Sequence, residues 1–165
     1  MSSISEIYDE HVERVFNIAL HYVRNSADAE EVTQDVFLKV NESLDKFEKK
    51  SKLSTWIHRI TVNTSLDHLR KQHANKRRFI LSMENAVLPA HTDHSHPGIH
   101  LEEKESLELI MSIINELPNN QKTAVILHKI EGMSQQETAK IMKRSEKSVE
   151  SLIGRARKKI KEILD

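Results

Sequence analysis

Gly132-Met133-Ser134-Gln135-Gln136-Glu137-Thr138-Ala139-Lys140-Ile141-Met142-Lys143-Arg144-Ser145-Glu146-Lys147-Ser148-Val149-Glu150-Ser151-Leu152-Ile153 is the stretch whose reading decides the fold. Gly132-Met133 ends one helical pattern, and Ser134 precedes Glu137 by the spacing at which hydroxyl and carboxylate cap each other's backbone donors. A helix is predicted from Gln135 to Met142, with Ala139 and Ile141 inward, stopping at Lys143-Arg144, where Ser145 caps the next. In that last helix Val149, Leu152, Ile153, Ala156, Ile160, Ile163 and Leu164 recur at helical spacing, while Lys147, Ser151, Arg155, Lys158 and Lys159 face elsewhere. Helix, tight turn, helix, with cations opposite the apolar stripe, is the layout that sets one helix in a major groove. There Arg, Lys and Ser side chains read base edges or hold phosphates. A solvated lysine-rich surface helix shares the pattern and is the plain alternative.

The rest of the chain has to be consistent with this. Its 165 residues fit one domain or two small ones, and 38% hydrophobic, 4% aromatic and 30% charged residues suit a helical globular protein. With no cysteine there is neither a disulfide framework nor a thiolate metal site. No apolar run approaches the roughly 20 residues that span a bilayer, so no membrane insertion is expected. Met1-Ser2-Ser3-Ile4-Ser5-Glu6 lacks a basic segment followed by an apolar core, so no secretion signal is expected, and the expected location is cytoplasmic. The end at Asp165, just after the last helix, speaks against an appended regulatory domain.

A formal net charge of zero hides segregation. Residues 1–50 carry six Lys/Arg against eleven Asp/Glu, and residues 51–80 carry seven against one. Residues 81–105 carry one against five, and residues 106–165 eleven against eight. Two cationic blocks alternating with two acidic ones suit a protein that touches DNA in two places and a basic protein surface elsewhere.

Two helical units emerge along the chain. Tyr8, Val12, Val15, Phe16, Ala19, Tyr22 and Val23 form the stripe of a first helix, over residues 7–23. A second, over 27–44, turns Ala29, Val32, Val36, Phe37 and Val40 inward, with acids in its first turn to suit the helix dipole. After a Lys-rich loop, Ser54 is expected to cap a third helix reaching about His73, with Trp56, Ile57, Ile60, Thr64 and Leu69 toward the core. Its exposed side and C-terminal end offer Arg59, Asn63, Arg70, Lys71, Lys76, Arg77 and Arg78. Periodicity then weakens, and Pro89, Pro97 and a run of Ser, Asn, Thr, Asp and His mark a flexible connector. Leu107, Ile110, Ile113, Ile114 and Leu117 form a further helix, and residues 119–131 the next, with Ala124, Val125, Leu127 and Ile130 inward. The expected division is residues 1–78, a linker over 79–105, and residues 106–165.

These residues carry a family resemblance. Asp28-Ala29-Glu30-Glu31-Val32-Thr33-Gln34-Asp35-Val36-Phe37-Leu38-Lys39-Val40 resembles the polymerase-binding segment of extracytoplasmic-function sigma factors. Phe47, then Ser54-Thr55-Trp56-Ile57-His58-Arg59-Ile60-Thr61-Val62-Asn63, then Asp67-His68-Leu69-Arg70-Lys71, resembles that family's promoter-melting and minus-ten-reading block. Leu117-Pro118, Gly132-Met133-Ser134, Glu137 to Ile141 and Arg155-Ala156-Arg157-Lys158-Lys159 resemble its minus-thirty-five-reading domain. The resemblance covers nearly everything but the connector.

It implies an all-α protein of two small domains that binds core RNA polymerase, directs it to a two-element promoter and helps open the duplex. Glu31, Gln34 and Asp35 would dock on the polymerase, carboxylates matching arginine forks. Asn63 and the loop from Phe47 to Leu53, Lys52 included, match positions that capture a base turned out of the non-template strand, which an amide can both donate to and accept from. Trp56 belongs to the same block or is simply a core aromatic. Arg59, Arg70, Lys71, Arg77 and Arg78 would hold phosphates. Minus-thirty-five contacts would come from Ser134, Lys147, Ser148, Glu150, Ser151, Gly154, Arg155 and Lys158. Glu150 departs from the family, whose members often place a DNA-contacting cation there. It either accepts from a cytosine amino group or marks a lost phosphate contact. Gly154 stands where relatives often carry a larger side chain and would permit close approach to a backbone.

His91, His94, His96 and His100 crowd the connector, where a transition-metal or acid sensor is one reading and a polar, partly acidic tether the favoured one. No metal site and no cofactor are assigned. No nucleophile with its base, phosphate-binding glycine loop or catalytic carboxylate pair can be argued from spacing, so no enzymatic activity is expected. An anti-sigma protein is the further partner that the resemblance implies. The rival functions are a free-standing helix-turn-helix regulator, for which no dimerisation helix is left over, and a helical protein whose cationic faces bind acidic partners.

Overall fold

The computed structural model describes residues 2–83 and 101–165, and it is helical throughout, without a strand among the described residues. The helices are α1 (Ile4–Val23), α2 (Ser26–Ser43), α3 (Leu53–Ser82), α4 (Leu101–Glu116), α5 (Asn119–Ala124), α6 (Gln135–Met142) and α7 (Glu146–Leu164). Short caps set most of the boundaries. Ser3 and Glu6 cap each other at the start of α1, which ends at Arg24 in the left-handed region, φ 62°. Asn25 then caps α2, accepting from the Asp28 amide at 2.8 Å. So brief a link folds α2 back against α1, and α3 closes a three-helix unit over Ile18, Tyr22, Val36, Val40 and Ile57, each 1% exposed or less.

Two expectations about α3 are corrected. Its N-cap is Lys52, without a side-chain bond, and Ser54 lies inside the first turn. The helix also continues past His73 to Ser82, and every residue from 70 to 83 is exposed. No packing holds that last stretch; Ala74, Lys76, Arg77, Arg78 and Leu81 favour helix and neither Gly nor Pro interrupts it. Residues 79–82, expected in the connector, are therefore helical, as are residues 101–105. The connector histidines lie outside the described residues.

In the second unit, the single helix expected over 119–131 is instead α5 running into a π-helical turn over Val125–Ile130. Glu131 N–H donates to the Ile126 carbonyl at 2.9 Å, the bond of the wider turn. His128 Nδ1 donates to the Met133 carbonyl at 2.7 Å and closes the bend, where Gly132 adopts φ 70°. Ala124, Ala139, Val149, Leu152 and Ile153 bury together under the helix-turn-helix. The apolar stripe was read too long at its edges. Tyr8, Leu107, Ile110, Ile163 and Leu164 are exposed, Tyr8 keeping a ring contact with Phe37 at 4.7 Å between centroids.

The two units are in contact. One continuous apolar cluster runs from Tyr22 and Ile57 in the first to Ile114, Leu127, Met133 and Ile141 in the second.

Candidate nucleic-acid interface

Three surfaces follow from this arrangement. On α2, burial of Val32, Thr33, Val36 and Phe37 turns Glu31, Gln34 and Asp35 outward as one polar face, with Leu38 exposed beside them. Asp28, at the start of that helix, ties it to α3: its carboxylate accepts from Asn25 and from Gln72, each at 2.7 Å. The Asn25 bond comes first among the causes that hold its carboxyl below the usual range, ahead of Gln72 and His68. The donor atoms of Asp28, Glu31 and His68 lie within 4.8 Å of one another and are the described residues that could gather round a cation. Asp28 already has protein partners there, and Glu31 is exposed.

The second surface runs along α3. Phe47 and Trp56 stack with ring centroids 5.0 Å apart, both half-buried against the first unit, so Trp56 serves the core at least in part. Lys49, Lys50 and Lys52 share one cleft with Thr55, Arg59 and Lys140. Arg59 is half-buried and directs two of its five donors to the second unit, Nη2 to the Lys140 carbonyl at 2.7 Å and Nε to the Ile141 carbonyl at 3.1 Å. Burial lowers the pKa of its guanidinium. Asn63 is exposed at the edge of a neighbouring cleft lined by Met142 and Lys143. Arg70 pairs with Asp67 one turn back, and Lys71, Arg77 and Arg78 stand exposed on the far end of the helix. Structure thus separates the α3 cations into an inner one, Arg59, and an outer row.

The third surface is α7. Ser145 caps it by accepting from the Ser148 amide at 3.1 Å. Val149, Leu152, Ile153 and Ala156 bury its inner stripe, and Lys147, Glu150, Ser151, Gly154, Arg155 and Lys158 are exposed while Ser148 is half-buried. A methyl group at Gly154 would meet nothing within 4 Å, so no packing within the chain requires the glycine. Ser134 does not share this face. It caps α6 in the expected reciprocal pairing with Glu137, at 3.0 and 3.1 Å. It also lines a cleft against Glu10, His11, Arg14 and His58 of the first unit.

An exposed acidic face on α2, an α3 bearing cations and an amide, and a capped helix-turn-helix follow one another along the chain. Known proteins agree. A family model for Sigma-70 region 2 matches residues 7–75, and one for Sigma-70, region 4 matches residues 107–160. An ECF RNA polymerase sigma-E factor from Haemophilus influenzae is 31% identical over 151 residues, covering 89% of this chain and 79% of that one. The chain belongs to the extracytoplasmic-function sigma factors.

It is an alternative sigma factor, a subunit that takes core RNA polymerase to promoter DNA; two matched regions in order disfavour a free-standing regulator. The fold is shared with CnrH in complex with the cytosolic domain of CnrY, at TM-score 0.69 and 24% identity over 98% of this chain and 87% of that one. It is shared also with the sigma factor RpoE in complex with the anti-sigma factor NepR from Bartonella quintana, at TM-score 0.67 and 22% identity over 97% and 95%. No described helix is long and apolar enough to cross a membrane.

Sequence reasoning missed the residues that join the units. Arg14 Nη1 donates to the Glu131 carbonyl and carboxylate, and His21 Nε2 donates to the other carboxylate oxygen at 3.0 Å. Tyr22 and Thr123 share a buried hydrogen bond of 2.5 Å, and burial pushes the Tyr22 phenol far up. His58, its Nε2 buried without a partner, is pushed down to about 4, first by burial and then by His11 and Arg14. Arg14 and His21 lie on a helix whose apolar stripe alone announced it, and no local pattern pairs them with residue 131.

Proposed function

We propose that this sigma factor divides its work by surface: the α2 face of Glu31, Gln34 and Asp35 docks on a basic element of core polymerase. The α3 side with Phe47, Lys52, Trp56, Arg59 and Asn63 holds the melted minus-ten strand, with Arg70, Lys71, Arg77 and Arg78 along the phosphates. The exposed face of α7, from Lys147 to Lys158, reads the minus-thirty-five element. Ser134, its hydroxyl engaged in the α6 cap, contributes by orienting the helix pair. Residues 1–78 and 106–165 would then act as two modules joined by residues 79–105. The activity is binding and duplex opening; polymerisation belongs to core polymerase, so the chain itself is not an enzyme, and it works in the cytoplasm. An anti-sigma protein is the expected regulator, since both solved relatives named above are held by partner chains.

The observation that carries this reading is the separation of signs: an exposed acidic face on α2 and exposed cations on α3 and α7. Electrostatics of that kind guides one surface to a basic partner and the others to phosphates. The test mixes the purified chain with core polymerase and a genomic promoter library and sequences the transcripts. Discrete start sites are expected. Glu31→Lys with Asp35→Lys would abolish them by loss of polymerase binding, and Asn63→Ala would reduce duplex opening with polymerase binding unchanged. Sequence-specific DNA binding with no transcripts at all would overturn the reading.

A further inference from the structure

At one end of the first unit, α2 and α3 meet through Asp28, Glu31 and His68. His68, on α3, has its Nε2 buried without a hydrogen-bond partner. Asp28 Oδ1 stands 3.7 Å from it, beyond hydrogen-bond reach. A buried imidazole nitrogen without a partner costs free energy, and folded proteins give such atoms a partner in protein, water or an ion. Asp28 is placed to share an ion with it. Asn25 Nδ2 and Gln72 Nε2 both donate to Asp28 Oδ2 at 2.7 Å, which fixes the carboxylate and leaves Oδ1 to face His68. Hydrogen bonds to the far oxygen of a ligating carboxylate are how proteins orient such ligands. Glu31 follows Asp28 by one helical turn, and its carboxylate brings a third donor atom within 4.8 Å of the other two.

The donor set selects the ion. One imidazole with two carboxylates suits a divalent first-row transition ion such as zinc, whereas magnesium and calcium take oxygen ligands. Ligand atoms at about 2.0–2.2 Å from one zinc stand roughly 3.5 Å apart in a tetrahedron, so closure asks for a small movement of Glu31. Glu31 is exposed and has room for it. Three protein ligands with water in the fourth place make an open zinc site.

We propose that Asp28, Glu31 and His68 form a site for a divalent transition cation of the zinc class, which staples the start of α2 to α3 and withdraws Glu31 from the face that docks on core polymerase. The withdrawal rests on the assignment of Glu31 to that face, since one carboxylate does not hold the cation and pair with a basic polymerase element at once. The site itself rests on the geometry alone.

Zinc chloride is the probe. The full chain is used with His91, His94, His96 and His100 changed to Gln, so that the connector does not compete for the metal. Calorimetric titration is expected to show binding at one site, and zinc to raise the melting temperature while magnesium at the same concentration leaves it unmoved. His68→Gln and Glu31→Gln should each weaken zinc binding about tenfold or more, because even an outer partner of a metal ligand is worth that much. Glu31 is exposed, so its variant keeps the fold and tests the site independently of His68→Gln. Saturating zinc should then lower the affinity for core polymerase about tenfold and leave that of His68→Gln unchanged. No zinc binding, or zinc binding that neither substitution weakens, would overturn the site. Polymerase affinity that saturating zinc does not change would overturn the coupling. The double variant Glu31→Lys, Asp35→Lys separates this from the functional reading: polymerase binding that survives it without metal counts against the docking assignment, while the calorimetry, which needs no polymerase, still decides the site.

Discussion

Arg14 of α1 meets Glu131 twice, its Nη1 lying 2.8 Å from the backbone carbonyl and 3.2 Å from the carboxylate. The carbonyl is available because the turn before it is π-helical and ends there, leaving Glu131 without a following helical partner. A widened turn in the second unit thus creates the acceptor that the first unit grips. The same turn carries Leu127, which is fully buried in the shared core.

Tyr22 and Thr123 form the buried counterpart of that contact, and replacing one of them should reveal it. Tyr22→Phe leaves the Thr123 hydroxyl buried without its partner and should lower unfolding stability by about 1–3 kcal/mol. Thr123→Val added to it removes the stranded group, so the double variant should recover part of the loss. Urea denaturation of the four proteins in the cycle checks this; strictly additive losses would show that the two hydroxyls do not interact.

Acid should loosen the molecule through His58. Its pKa is pushed from the ordinary 6.5 down to about 4, chiefly by burial, with the neighbouring His11 and Arg14 opposing a further charge. A histidine depressed in the folded state contributes stability that is fully present above pH 6.5. That contribution is lost as the pH falls through about 4, when the folded form resists the proton that the unfolded form accepts. The full effect is about 3 kcal/mol. His58→Gln should flatten the fall in melting temperature between pH 6.5 and 4 relative to wild type, and parallel curves for the two proteins would remove His58 as the cause.

Gly154 in the middle of α7 offers a gain instead. Nothing lies within 4 Å of where its methyl group would be, and the helix there is solvated. Gly154→Ala should therefore raise stability by about 1 kcal/mol through helix propensity alone. Ser145→Ala, losing the cap at the start of the same helix, should cost about as much. Thermal unfolding measures both. If promoter binding falls in Gly154→Ala while stability rises, the glycine serves approach to DNA.

The caps and the apolar stripes were legible because they are local. Ser134 with Glu137, Ser145 and the α7 stripe from Val149 to Ala156 each declare themselves within one or two turns, and the structure has them as read. Boundaries set by absence of packing were not. The last turns of α3 continue because nothing stops them, and the exposed Phe79 and Ile80 gave no stripe to follow. The π turn hid inside a pattern that α-helical spacing fits nearly as well. Least legible was the partnership of Arg59 with α6, since a cation on an exposed-looking helix face reads the same whether it waits for a phosphate or caps a distant helix.

Glu150 remains the residue of α7 whose chemistry is most unlike its neighbours. It is exposed between Val149, fully buried, and Ser151, exposed, so its carboxylate projects from the face assigned to the minus-thirty-five element. An ionised carboxylate repels phosphates but accepts from the amino group that cytosine shows in the major groove. Readout of that group predicts that Glu150→Ala loses about 1–3 kcal/mol of discrimination at one base pair, while overall affinity for other sequences holds or rises. Glu150→Lys should raise affinity for all sequences and steepen its salt dependence by about one counterion. Selection of preferred sites from a randomised promoter panel with the three proteins decides the matter: the same base preference throughout would mean that Glu150 marks a phosphate contact given up, with no sequence read in exchange.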